Sequence, residues 1–125
     1  MMLEFLEPEF SICKMDHPPS PIMDSGFLFY GRTDGEVSLV CPTADVPSDT
    51  LRRDDGWRAF RVSGTMDLSL IGVLSGITKV LADNSIGVFV ISTFDTDYIL
   101  VRKGNAEKTI DVLSRAGYIW SEGSG

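Results

Sequence analysis

The sequence predicts an α+β fold: a ferredoxin-like βαββαβ unit from Trp57 onward, preceded by a degenerate copy of the same unit, in antiparallel sheets with helices on one face. Three observations predict it. Ile86 to Arg102 reads IGVFVISTFDTDYILVR, in which two apolar, β-branched runs, Ile86–Ile91 and Tyr98–Val101, flank a link of turn formers and Phe94. That is the signature of an antiparallel hairpin. Leu68 to Ala82 places Leu70, Val73, Leu74, Ile77, Val80 and Leu81 at the three- and four-residue spacing of one buried helix face. Ala106 to Ala116 does the same with Ala106, Ile110 and Leu113, between an Asn105 cap and a Gly117 stop.

Taken in order, Phe10–Met15 is a short strand after an acidic lead containing Glu4, Glu7 and Glu9. The run His17-Pro18-Pro19-Ser20-Pro21 forbids regular structure, because proline removes a donor and fixes the backbone. Phe27–Tyr30 and Glu36–Cys41 are strands around a Gly31–Gly35 turn. Pro42–Asp55 holds at most one short helix, capped by Ser48. Trp57–Val62 is a strand, and Thr65 or Asp67 caps the helix that follows. Gly72 and Gly76 fall on that helix; each costs about 1 kcal/mol against alanine there, which calls for close packing. Neither run of the hairpin alternates cleanly, so its strands are expected to be central or covered on both faces. Tyr118–Trp120 is the last strand and Ser121–Gly125 a tail. The expected domains are residues 1–56, the degenerate unit, and 57–125, the complete one.

The 125 residues are 43% hydrophobic, enough for a real core, and carry a net charge of −7. That charge disfavours nucleic acid and anionic membrane, which need clustered Lys and Arg. No run approaches membrane-spanning length, and the acidic start is not a secretory signal, so a cytoplasmic location is expected. Cys13 and Cys41 sit in apolar runs and read as buried free thiols.

A right-handed crossover from Trp57–Val62 to Ile86–Ile91 brings the loop after Val62 and the link Thr93–Thr96 to one end of the sheet. The helix start near Leu68 to Leu70 then offers amide hydrogens for a carboxylate, with Thr65 and Ser69 hydroxyls beside it. Asp95 and Asp97 offer negative charge for an ammonium or guanidinium. An anion pole and a cation pole at one edge suit a free amino acid. Aspartates in turns also bond their own backbone, a reading that fits Asp95 better than Asp97, because Asp97 begins a strand where aspartate is disfavoured.

The stretches FYGRTDGEVSLVCP and WRAFRVSGTMDLSLIGVLSGITKVLADNSIGVFVISTFDTDYILV resemble small proteins with two tandem ACT units, most specifically in GTMDLSLIGVL and STFDTDYILV. ACT units are βαββαβ modules that bind amino acids or other metabolites, mostly between units, and regulate enzymes or transcription. The second segment is also similar to one in the cytosolic arginine sensor of animals, whose aspartate matching Asp97 contacts ligand. The resemblance implies contacts from the Gly64–Gly72 segment, Gly64 and Met66 included, and from Thr93, Phe94 and Asp97. It also implies that a complete site either needs a dimer or has been lost.

The expected function is therefore amino-acid binding by a regulatory sensor acting as a homodimer. The alternative is a ligand-free ACT-like dimerisation or protein-interaction module. An RNA-recognition module shares the strand order but needs stacking aromatics and basic flanks, where this chain has DYILVRK. Catalysis is not expected. His17 is the sole histidine, before a proline in a loop, and no nucleophile, phosphate loop or metal-ligand cluster accompanies the aspartates. Neither a cofactor nor a metal is expected.

Overall fold

The computed structural model of the chain describes residues 2–20, 24–63 and 72–121. Along them run β1 (Met2–Met15), β2 (Phe29–Arg32), β3 (Val37–Pro42), β4 (Arg52–Val62), α1 (Val73–Asp83), β5 (Phe89–Ser92), β6 (Asp97–Arg102), α2 (Ala106–Arg115) and β7 (Ile119–Trp120). Single 3-10 turns lie at Thr43–Asp45 and Lys103–Asn105. The chain divides into two compact units, Met1–Glu7 with Arg58–Gly125, and Pro8–Trp57.

In the first unit the strands are ordered β7-β1-β4-β6-β5. β5 and β6 are antiparallel with Phe89 opposite Leu100 and Ser92 opposite Asp97. β7 runs parallel to the start of β1, with Met2 opposite Ile119. Side chains alternate across each strand. Leu3, Phe5, Phe60, Val62, Ile99 and Val101 therefore share one face, and they form a core with Ile77 and Leu81 of α1 and Val112 and Leu113 of α2. Phe5 stacks on Trp120 at 5.0 Å between ring centroids, and Phe60 meets the same indole edge-on at 5.2 Å. Fully burying each such side chain contributes about 1.5–3 kcal/mol.

The strands differ from expectation at their ends. β1 starts at Met2, not Phe10, because the acidic lead alternates: Leu3 and Phe5 enter the core, while Glu4 accepts from Arg61 Nε at 3.1 Å. Pro8 lies between the residues of β1 that pair with β7 and those that pair with β3. β5 is the sheet edge rather than a central strand.

The helices also shift. Gly72 has φ +85°, so it precedes α1 instead of lying on it, and nothing within 4 Å would meet a Cβ there; backbone freedom, not packing, accounts for this glycine. Close packing does account for Gly76, where a Cβ would stand 3.0 Å from Tyr118 Oη. The expected helix residues 68–71 lie outside the described residues. Asn105 makes no side-chain cap bond; it ends a 3-10 turn that leads into α2.

In the second unit β2 and β3 form a hairpin, and β3 lies between β2 and β1. β3 is antiparallel to both β1 and β2, with Cys13 and Tyr30 each opposite Leu39. Cys13, Met15, Leu39 and Cys41 form its core, and both thiols are free. Ser11, fully buried, donates to Asp55 Oδ1 at 2.6 Å and bonds Thr43 Oγ1 at 2.9 Å. The short helical turn is Thr43–Asp45, and Ser48 caps no helix. Among the described residues, no helix is long and apolar enough to cross a membrane.

Candidate functional site

The β5–β6 hairpin carries the predicted acidic pole. Thr93 closes its turn twice over, donating to the Thr96 carbonyl from its amide at 2.9 Å and from Oγ1 at 3.0 Å. This tight closure pushes the two tip side chains outward. Phe94 is 85% exposed and Asp95 is exposed too.

Asp97 behaves differently. It opens β6, in the same alternation as Ile99 and Val101, so it sits at the end of the core-facing row. It is 8% exposed. Ser92, directly opposite on β5, donates its hydroxyl to Asp97 Oδ1 at 2.5 Å. No Lys or Arg among the described residues pairs with it. The arrangement is an acceptor for a cationic or multiply donating group.

Thr96, next to it, is 7% exposed, and its Oγ1 meets no hydrogen-bond partner among the described residues. Ser92 and Thr96 were not singled out from the sequence as site residues. Extending the alternation of Ile99 and Val101 back to Asp97, and pairing it across the turn, finds Ser92; nothing in the sequence marks Thr96.

Of the other expected site residues, Gly64, Thr65, Met66, Leu68 and Ser69 lie outside the described residues. The first-turn amides of α1 belong to Val73, Leu74 and Ser75, since Gly76 makes the first i→i−4 bond, to the Gly72 carbonyl at 2.8 Å. The helix start is thus some residues beyond Leu68 to Leu70. Thr93, Phe94, Asp95 and Asp97 are all brought together by the one hairpin.

The comparisons with known proteins agree with this architecture. A family model described as an ACT domain matches residues 52–115. A protein of Agrobacterium tumefaciens of solved structure is 35% identical, with TM-score 0.86 over 96% of this chain and 91% of that one. The aspartokinase alpha and beta subunits are 15% identical, with TM-score 0.66 over 93% of this chain and 97% of theirs. The regulatory subunit of aspartate kinase from Thermus thermophilus, in a ligand-free form, is 8% identical, with TM-score 0.60 over 88% of this chain and 93% of that one. These last two share the fold. No curated protein matches the chain by sequence. A βαββαβ unit with this strand order and a family match across β4, α1, the hairpin and α2 leads to one conclusion: the chain belongs to the ACT-domain family.

Proposed function

We propose that this chain is a regulatory sensor that binds a free amino acid or a close analogue, with Asp97 as the anchor for the ligand's cationic group. ACT-domain relatives are regulatory domains that bind amino acids, which supplies the ligand class. The observation that carries the assignment to the hairpin is Asp97: a nearly buried carboxylate held by the Ser92 hydroxyl alone among the described residues. In this reading Asp95 adds charge at the mouth and Phe94 closes over the ligand. The segment from Gly64 to Ser69, through Thr65, Met66 and Leu68, takes the carboxylate. Residues 1–56 act as the degenerate unit of a tandem pair and 57–125 as the complete one, and two chains form the working dimer. The protein regulates rather than catalyses, in a cytoplasm that keeps Cys13 and Cys41 reduced.

A thermal-shift panel of the twenty amino acids tests it. A ligand at a hundred times its dissociation constant adds about 2.7 kcal/mol to stability, a visible rise in Tm. Asp97→Asn keeps the shape and the Ser92 contact but removes the charge; it is expected to abolish the rise. A flat panel, or an unchanged rise in Asp97→Asn, overturns the reading.

A second reading, a ligand-free dimerisation module, is favoured by the 85% exposed Phe94 and by the open edge β5 beside the exposed Val88. A flat panel together with a dimer that Phe94→Ser dissociates selects it.

A further inference from the structure

The Pro8–Trp57 unit holds an open groove of about 480 Å³. Ile12 lies along it, and Lys14, Arg52 and Arg53 line it. Sheet pairing gathers two of these cations: Lys14 stands opposite Ser38 across β1 and β3, and the Leu51 amide donates to the Lys14 carbonyl at 2.8 Å, which starts β4 beside them. Two positive side chains, Lys14 and Arg52, thus share the groove, whereas Arg53 is drawn to the thiol side of the sheet, where Asp55 holds it and its charge reaches Cys13 and Cys41. Of the carboxylates nearby, Glu36 accepts the Ser38 hydroxyl at 2.6 Å and Asp55 holds Arg53 Nε at 3.1 Å; Asp54 also lines the groove. Lys14 and Arg52 are exposed and make no ion pair among the described residues.

We propose that this groove is a second ligand site, specific for a small dianion: a dicarboxylate or a phosphorylated metabolite. Its volume lies within the range of small-molecule sites, roughly 300–1,000 Å³. A guanidinium fork, Arg52, and an ammonium, Lys14, are donors that carboxylate and phosphate oxygens take. Because the groove is open, binding is salt-sensitive. The groove's lining includes no hairpin residue, so neither proposal rests on the other.

Titration calorimetry on the full chain at low salt tests it, with sodium pyrophosphate and sodium succinate as separate probes. Saturable binding is expected for at least one. Pyrophosphate alone identifies a phosphorylated ligand and succinate alone a dicarboxylate. Lys14→Gln and Arg52→Gln are each expected to weaken binding about tenfold or more, while Lys79→Gln on α1 leaves it unchanged. Amide shifts on the unsubstituted protein, seen by NMR, are expected at Ile12–Lys14 and Arg52–Asp54. No saturable binding of either probe, binding kept in the Lys14→Gln/Arg52→Gln double variant, equal loss in Lys79→Gln, or shifts confined elsewhere overturns the proposal.

Discussion

Thr109 is 0% exposed on α2, yet its hydroxyl meets no hydrogen-bond partner among the described residues. Such a group forfeits about 1–3 kcal/mol of solvation. Thr109→Val, which keeps the shape and removes the hydroxyl, is expected to raise stability by about 1 kcal/mol in urea unfolding. The thiols titrate outside their ordinary range. Burial, then the neighbouring Cys13, pushes Cys41 from 9.0 up to about 11. Its folded-state pKa lies above the unfolded one, so its contribution to stability is complete below pH 9.0 and is lost as pH rises toward about 11. Native protein at pH 8 is expected to resist a thiol reagent that labels both cysteines once urea unfolds it. His17 is the exposed case: its imidazole bonds the Pro18 carbonyl at 2.8 Å and Asp49 at 2.7 Å, which together raise its pKa above 6.5. The tie between these loops is therefore strongest below pH 6.5 and is lost as pH rises through the folded-state value. Asp49→Asn is expected to lower the His17 pKa measured by NMR; no change would show that Asp49 does not hold the imidazolium.

At the scale of elements, α1 and α2 were legible from their spacing, though not in every residue. Ile77, Leu81 and Leu113 are buried as predicted, whereas α2 also buries Thr109 and Val112 and leaves Ala106 and Ile110 half-buried. The helix is rotated from the apolar-only prediction because Thr109 counts as polar in a sequence pattern but fits the core by shape. Gly76 gives a direct test of why a helix tolerates glycine. Alanine gains about 1 kcal/mol of helix propensity, but its Cβ would stand 3.0 Å from Tyr118 Oη. Gly76→Ala is expected to be nearly neutral alone and to stabilise by about 1 kcal/mol in a Tyr118→Phe background, where that oxygen is absent. Equal effects in both backgrounds would show that Tyr118 is not the obstacle. The hairpin was the most legible element in its turn, second run and antiparallel pairing, although β5 starts at Phe89 rather than Ile86. What the residues did not show was that β5 ends the sheet, since edge position depends on strands elsewhere in the chain.

For the whole molecule, a net charge of −7 means self-repulsion that salt screens. Raising ionic strength is expected to raise Tm modestly while weakening dianion binding in the groove; a fall in Tm would show that local ion pairs such as Arg61–Glu4 outweigh the net charge. The sequence by itself determined the α+β class, the βαββαβ order, the hairpin, the free thiols and the acidic turn, because periodicity, turn chemistry and composition act over a few neighbouring residues. Only the tertiary structure decided that the acidic lead is a strand, that Asp97 is buried against Ser92, and that Lys14 and Arg52 share a groove. Those outcomes depend on pairing between distant segments. Glu4 finds Arg61 across 57 positions and Ser11 finds Asp55 across 44, and no local pattern encodes which strand arrives alongside.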